Sequence, residues 1–214
     1  MITQFLEEID KKFPLTKLDV DDYQGLKAGG MTFLIEAYYA KGLGHVSVMR
    51  AKGFLGLMKM DTLMISPYEV DLPLYSYDRI FAFGNDTLIV ELYDTLVSAC
   101  NLDKLEEIKR RFVDLAERDP GEHWYDSIKL PQSISKKGKK SQKPRLDALA
   151  AQHLEGYLSA KAEAVSDADA KLEKTKAYVL GLLEQGGPST DVFKKELGEE
   201  FTKELFLNAL FGIK

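Results

Sequence analysis

Apolar positions along this chain recur at helical spacing, then at strand spacing, then at helical spacing again. Ile2, Phe5, Leu6, Ile9 and Phe13 share one face of a helix over residues 2–13. Pro14 closes that helix, because a proline pushes the residue before it out of the helical region. From residue 31 to 94 the period is two. The segments 31–40 (MTFLIEAYYA), 45–52 (HVSVMRAK), 54–66, 76–84 and 86–94 are predicted strands. Gly42 with Gly44, Gly53, the stretch from Pro67 to Pro73, and Gly84 with Asn85 separate them. Connections this short suit an antiparallel meander rather than parallel strands joined by helices.

After Asp94 the helical period returns. Asp103 with Glu106 forms a candidate capping box ahead of the stripe Leu105, Ile108, Phe112, Leu115. Asp119-Pro120-Gly121 ends that helix. The run 136–145 (KKGKKSQKPR) holds no acid and is expected to be a solvated loop. Leu146, Leu149, His153, Leu154, Tyr157 and Leu158 then share a helix face. A further helix spans about 168–184, Gly186-Gly187-Pro188-Ser189 breaks it, and a last helix turns Phe193, Leu197, Phe201, Leu205, Ala209 and Leu210 inward. One α+β domain over residues 1–214 is expected, its central antiparallel sheet covered by helices and a flexible basic loop near 132–145. A division into two domains near 130–145 is the competing reading.

Composition narrows the chemistry. A hydrophobic fraction of 45% is ample for a core, and a net charge of −5 argues against a general nucleic-acid binder. The single cysteine, Cys100, excludes an internal disulfide and any metal site built on several thiolates. The start MITQFLEEIDKKF has no basic-then-apolar leader pattern, and no apolar run approaches the ~20 residues that cross a bilayer. The expectation is a cytoplasmic protein with no membrane partner. Gly42-Leu43-Gly44 lacks the third glycine of a dinucleotide fingerprint and lies between strands, so it is a tight turn. Lys136–Lys140 is no phosphate-binding loop, and His45, His123 and His153 lack ligand spacing, so no metal is expected.

One position stands against its surroundings. Asp78 lies within Leu72-Pro73-Leu74-Tyr75-Ser76-Tyr77-Asp78-Arg79-Ile80-Phe81, a segment otherwise rich in strand formers. Such an acid is either at a strand edge facing water, or in a pocket where burial raises its pKa into the range of proton donation.

Two blocks resemble the ferredoxin-dependent bilin reductases. The first is Met58 to Thr95, where Leu72-Pro73-Leu74-Tyr75 and Asp78 follow the family's order, with Ser76 in place of the usual glycine. The second runs from Val192 through Gly198 and Phe201 to Leu210-Phe211. The resemblance implies a three-layer α/β/α sandwich with an open-chain tetrapyrrole, such as biliverdin, between the sheet and the C-terminal helices. It implies no bound metal or flavin, single electrons from ferredoxin or a similar acidic carrier, and protons from the protein. Asp78 matches the central acid.

Other positions depart from the family pattern. Asp61 stands where the preceding strand usually has His or Asn; it either shares a proton with Asp78 or is merely solvated. Gly186-Gly187 replaces a helical Asn-Asp, with Asp191 a turn later as the candidate substrate contact. Arg50 and Lys52 either hold propionates or are solvated strand positions. Tyr38, Tyr39, Phe81 and Phe83 divide between core and pocket by alternation. His123 and Trp124, after the Pro120-Gly121 turn, either cover a pocket or anchor a loop through a buried Trp. Lys136, Lys137, Lys139 and Lys140 are candidates for docking the donor. The alternatives are a tetrapyrrole-binding protein without reductase chemistry, favoured by the Asp61 and Gly187 departures, and an unrelated α+β protein.

Overall fold

A computed structural model describes residues 1–187 and 189–213. Its middle layer is an antiparallel sheet of nine strands. These are β1 (Leu15–Leu18), β2 (Leu26–Ala28), β3 (Met31–Ala40), β4 (Gly44–Gly53), β5 (Met58–Pro67), β6 (Leu74–Ala82), β7 (Asn85–Tyr93), β8 (Ala116–Glu117) and β9 (Ile134–Lys139). They lie in the order β1-β3-β4-β5-β6-β7-β9-β8, with β2 also paired to β3. Of the long central strands, β3, β4, β6 and β7 fall within two residues of where the two-residue period places them. The strand expected over 54–66 starts only at Met58, because Phe54–Gly56 forms a 3-10 turn instead. The short flanking strands do not announce themselves, because two to six residues carry too little alternation.

Helices cover both faces, which makes the fold a three-layer α/β/α sandwich. On one face lie α1 (Ile2–Lys12), α2 (Asp103–Arg110) and α3 (Lys143–Leu158). Ile9, Leu63, Tyr77, Leu88, Leu149 and Tyr157 are fully buried there. On the other lie α4 (Ala168–Gln185), α5 (Thr190–Leu197), α6 (Glu199–Glu204) and a widened π-helical turn, Leu205–Leu210. Phe33, Met49, Tyr93, Val179, Phe193 and Leu205 fill that second core. No helix among the described residues is long and apolar enough to cross a membrane.

Three local expectations need correction. The basic loop expected near 132–145 is β9, a short 3-10 turn and the start of α3. Strand β7 has an edge to pair, and β9 supplies the partner. Lys136 is buried within it; its ammonium donates to the Leu115 carbonyl at 3.2 Å and to the Glu117 carboxylate. A lysine stem packs as an apolar chain once its head finds acceptors. The capping box is also absent: Asp103 is already helical, and its amide donates to Asn101 Oδ1 at 2.9 Å. The last helix breaks at Gly198, whose φ of +89° no side-chain-bearing residue adopts readily.

A buried ion pair ties the layers together. Asp71, between β5 and β6, accepts from the Val97 and Ser98 amides, from Ser98 Oγ (2.6 Å) and from Lys171 Nζ (3.0 Å). Lys171 on α4 also donates to the Leu72 carbonyl at 2.6 Å, and both residues are 1% exposed. Burial opposes both charges and pulls Lys171 downward, while the bonds from Ser98, Lys171 and Val97 outweigh burial at Asp71 and hold it below its usual pKa. Four donors around one carboxylate keep it ionised, and the ammonium touching it stays charged. Losing one partner strands the other without water. Lys171→Met is expected to cost about 3–5 kcal/mol of stability. Lys171→Met with Asp71→Asn is expected to cost less than Lys171→Met alone, as read by denaturant unfolding.

Candidate functional site beneath Asp78

Register decides what each strand offers to the helices. Thr62 on β5 lies opposite Asp78 on β6, and Asp78 lies opposite Ile89 on β7. Directly opposed residues project to the same face of a sheet, and their sequence neighbours to the other. Met49, Met60, Thr62, Met64, Ser76, Asp78, Ile80, Ile89, Glu91 and Tyr93 therefore face α4–α6.

Three adjoining hollows open under these helices. One, of about 80 Å³, is lined by Met49, Thr62, Asp78, Glu91, Tyr178 and Phe206, among others. The second, about 90 Å³, shares Asp78, Glu91 and Tyr125 with it and adds Arg118 and His123. The third, about 360 Å³, shares Met60 and Ile80 with the second and runs outward past Met58 and Phe54. Small-molecule sites occupy roughly 300–1,000 Å³. The two hollows beside Asp78 fall below that range and the third falls within it, with Met60, Ile80 and Ser189 lining both it and the second.

Asp78 is half-buried, and its carboxylate accepts from Thr62 Oγ1. Burial raises its pKa to about 6; the Thr62 bond opposes the rise and the Glu91 charge adds to it. Glu91 accepts from Tyr93 Oη at 2.6 Å and lies 3.7 Å from Lys129 Nζ. The Tyr93 ring packs on Tyr178 at 4.2 Å and edge-on to Tyr125 at 5.5 Å. Burial pushes all three phenols upward, so they remain protonated donors near neutral pH. The resulting wall is apolar and aromatic, with one acid poised between its two charge states.

The other expected contacts divide by the same register. Asp61 does not meet Asp78. It stands in the neighbouring cross-strand row, Arg50–Asp61–Arg79, which projects toward the α1 side. A shift of one residue changes the face, and Thr62 occupies the place expected for Asp61. Arg50 is on that same opposite face, with Nη1 2.9 Å from Glu36 Oε2. Lys52, opposite Lys59, also lies there and is exposed. Neither lines the hollows. Asp191 is exposed in the first turn of α5, outside the lining, although Ser189 and Thr190 beside it contribute. Tyr38 packs toward the α1 side, Phe81 opposes Lys59 and Phe83 is exposed at a hairpin tip. None of these, nor Tyr39, lines a hollow.

His123 lines the second hollow, its ring stacked on Tyr125 at 4.8 Å. Trp124 Nε1 donates to the Gly186 carbonyl at 3.0 Å and anchors the approach to α5. Pro188, within the expected helix break, lies outside the described residues. Glu91 and Tyr93 were within reach of sequence reasoning, since they alternate with Val90 and Leu92 along one predicted strand. Tyr125 and Tyr178 come from distant segments and gave no such signal. Among the described residues, no three His, Cys, Asp or Glu side chains gather as a metal site.

Fold and site thus define a three-layer sandwich with an acid-bearing apolar cavity between its sheet and its C-terminal helices. The particular likeness is to phytochromobilin synthase from tomato, whose crystal structure is in complex with biliverdin. The superposition has a TM-score of 0.76 and covers 99% of this chain and 81% of that one, at 17% sequence identity. The two share a fold. No family model matches the chain. No curated protein matches it in sequence.

The raised Asp78 pKa sets a pH dependence. Its ordinary value is 3.8 and its folded value about 6. Between these the folded state holds a proton that the unfolded state has lost, so stability falls as pH rises through the window. Above pH 6 the deficit is complete, at most roughly 3 kcal/mol from a two-unit shift. Asp78→Asn is expected to be more stable than the parent at pH 8 and nearly equal at pH 4, measured by urea unfolding at both values. Glu91→Gln is expected to lower the Asp78 pKa, followed by carboxyl carbon NMR.

Proposed function

We propose that this protein binds an open-chain tetrapyrrole such as biliverdin in the adjoining hollows and reduces it. Electrons come one at a time from ferredoxin or a similar carrier, and Asp78 supplies a proton. The observation that carries this reading is Asp78 itself: a carboxyl raised to about 6 within an apolar hollow. The fold shared with a biliverdin-bound enzyme supports it.

Reduction of one bilin double bond takes two electrons and two protons. The first electron leaves a radical anion on the conjugated system. Protonated Asp78 donates to that anion and becomes a carboxylate. A second electron from the carrier and a second proton from solvent complete the reduction, and Asp78 regains its own proton from solvent before the next cycle. A pKa near the working pH favours both halves of this exchange. The methionine and tyrosine walls suit a long conjugated ligand, because methionine side chains adapt to irregular shapes. Arg118 and His123, at the second hollow, replace Arg50 and Lys52 as candidate partners for the ligand's carboxylates.

The lysines for donor docking reduce to Lys137, Lys139 and Lys140, which are exposed along and after β9. Buried Lys136 leaves that set. A second reading, a tetrapyrrole carrier without reductase chemistry, has one observation in its favour. Thr62, which is not a proton donor at neutral pH, stands across from Asp78.

A spectral titration with biliverdin, followed by an anaerobic ferredoxin-reducing system, separates these readings. Tight binding and a shifted product spectrum are expected. Absence of binding refutes both readings for this ligand, and binding without conversion favours the carrier. Asp78→Asn is expected to bind but to slow conversion by about 10²–10⁴-fold; a full rate would exclude the proton-donor role. Lys137→Gln with Lys139→Gln and Lys140→Gln is expected to slow turnover, more at low salt than at high. Unchanged rates would remove the docking role.

A further inference from the structure

The distal end of the sheet combines features that the cavity does not explain. Phe54, Leu55 and Phe83 have φ values of 50°, 56° and 50°, and they are the non-glycine residues with positive φ among those described. Bulky side chains are outliers in this left-handed region, where hairpins normally place Asn, Asp or Gly. All three sit on two adjacent hairpin tips, β4–β5 and β6–β7. The Phe83 amide donates to the Leu57 carbonyl at 3.3 Å, and the Phe54 and Phe83 rings lie 6.5 Å apart. The tips thus form one surface. Leu55 is fully exposed (105%), Phe83 68%, Leu57 54% and Phe54 50%.

A basic row borders this surface. Lys27 lies opposite Thr32, Thr32 opposite Lys52, and Lys52 opposite Lys59. All three lysines are exposed, and none is in an ion pair among the described residues. Like charges directly opposed across strands disfavour the sheet. Here they are kept in a chain whose net charge is −5. Apolar tips and opposed lysines both work against the isolated fold, and an anionic apolar boundary would relieve both.

We propose that this end of the sheet docks on the surface of an anionic lipid bilayer, with Leu55, Phe83, Leu57 and Phe54 entering the headgroup–acyl boundary and Lys27, Lys52 and Lys59 meeting lipid charge. Leu and Phe over a lysine border is the composition of interfacial lipid binding. Protein interfaces differ: lysine is depleted, and a partner covers about 800 Å² on each side. Two narrow tips offer no such matched area. The negative remainder of the molecule would be repelled by the same surface, which orients the approach. Phe54 also lines the outermost hollow, so docking would turn that opening toward the bilayer. The proposal stands whether or not the cavity binds a tetrapyrrole.

Sedimentation of the full chain with vesicles tests it. Phosphatidylcholine vesicles containing phosphatidylserine are expected to bind at least about tenfold more protein than phosphatidylcholine alone, with the excess lost at high salt. Leu55→Glu with Phe83→Glu is expected to reduce binding about tenfold or more, and Lys52→Glu with Lys59→Glu likewise. Near-ultraviolet circular dichroism checks that these variants keep the fold. Independently, Leu55→Trp is expected to add fluorescence quenched by brominated lipid. No binding to anionic vesicles overturns the proposal. So does binding that is unchanged in Leu55→Glu with Phe83→Glu, or an unquenched Leu55→Trp. Self-association abolished by Leu55→Glu, without vesicle binding, would assign the surface to a second copy instead.

Discussion

Everything functional in this protein depends on the hydrogen-bonded register of strands β4 to β7. That register sets Thr62, Asp78 and Ile89 in one cross-strand row and Arg50, Asp61 and Arg79 in the next. The first row meets α4–α6 and becomes cavity. The second meets the α1 side and becomes a row of charged side chains, where Arg79 binds the buried Asp86 through Nη2 at 2.8 Å. The pleat allows nothing between these outcomes, because side chains alternate strictly along each strand. Moving β6 by one residue would replace the acid in the cavity with Tyr77 or Arg79.

The helical layer over that face determines how dry the acid is. Lys171 reaches from α4 to Asp71 and the Leu72 carbonyl, and so pins α4 to the segment leading directly into β6. Seven residues further along α4, Tyr178 closes over Tyr93, while Trp124 holds the turn before α5. The desolvation that raises Asp78 is therefore a product of tertiary packing, not of the strand that carries it. A buried acid weakens the fold wherever it is ionised, and sites that store such a cost are often those that use it.

Much of the architecture was legible in the chain. Strands β3 to β7 follow their alternation, and α4 runs Ala168–Gln185 where helical spacing puts a helix over 168–184. The core positions on α3 are buried as their spacing implies. Misreadings came where charge stood in for exposure. Lys136 lies in a basic run yet is buried, because β7 needed a pairing partner and Leu115 and Glu117 offered acceptors. Asp61 lies the right distance from Asp78 along the chain but one residue out of its row.

The sequence by itself determined the order and kind of elements, and it singled out Asp78 as an acid among strand formers. Local periodicity is enough for that, since each segment reports its own spacing. Only the tertiary structure decided which face the acid took, which residues joined it and how far burial moved its pKa. Those outcomes depend on the phase between strands and on helices about a hundred residues away in the chain. A period, however clear, does not contain its phase relative to a neighbour.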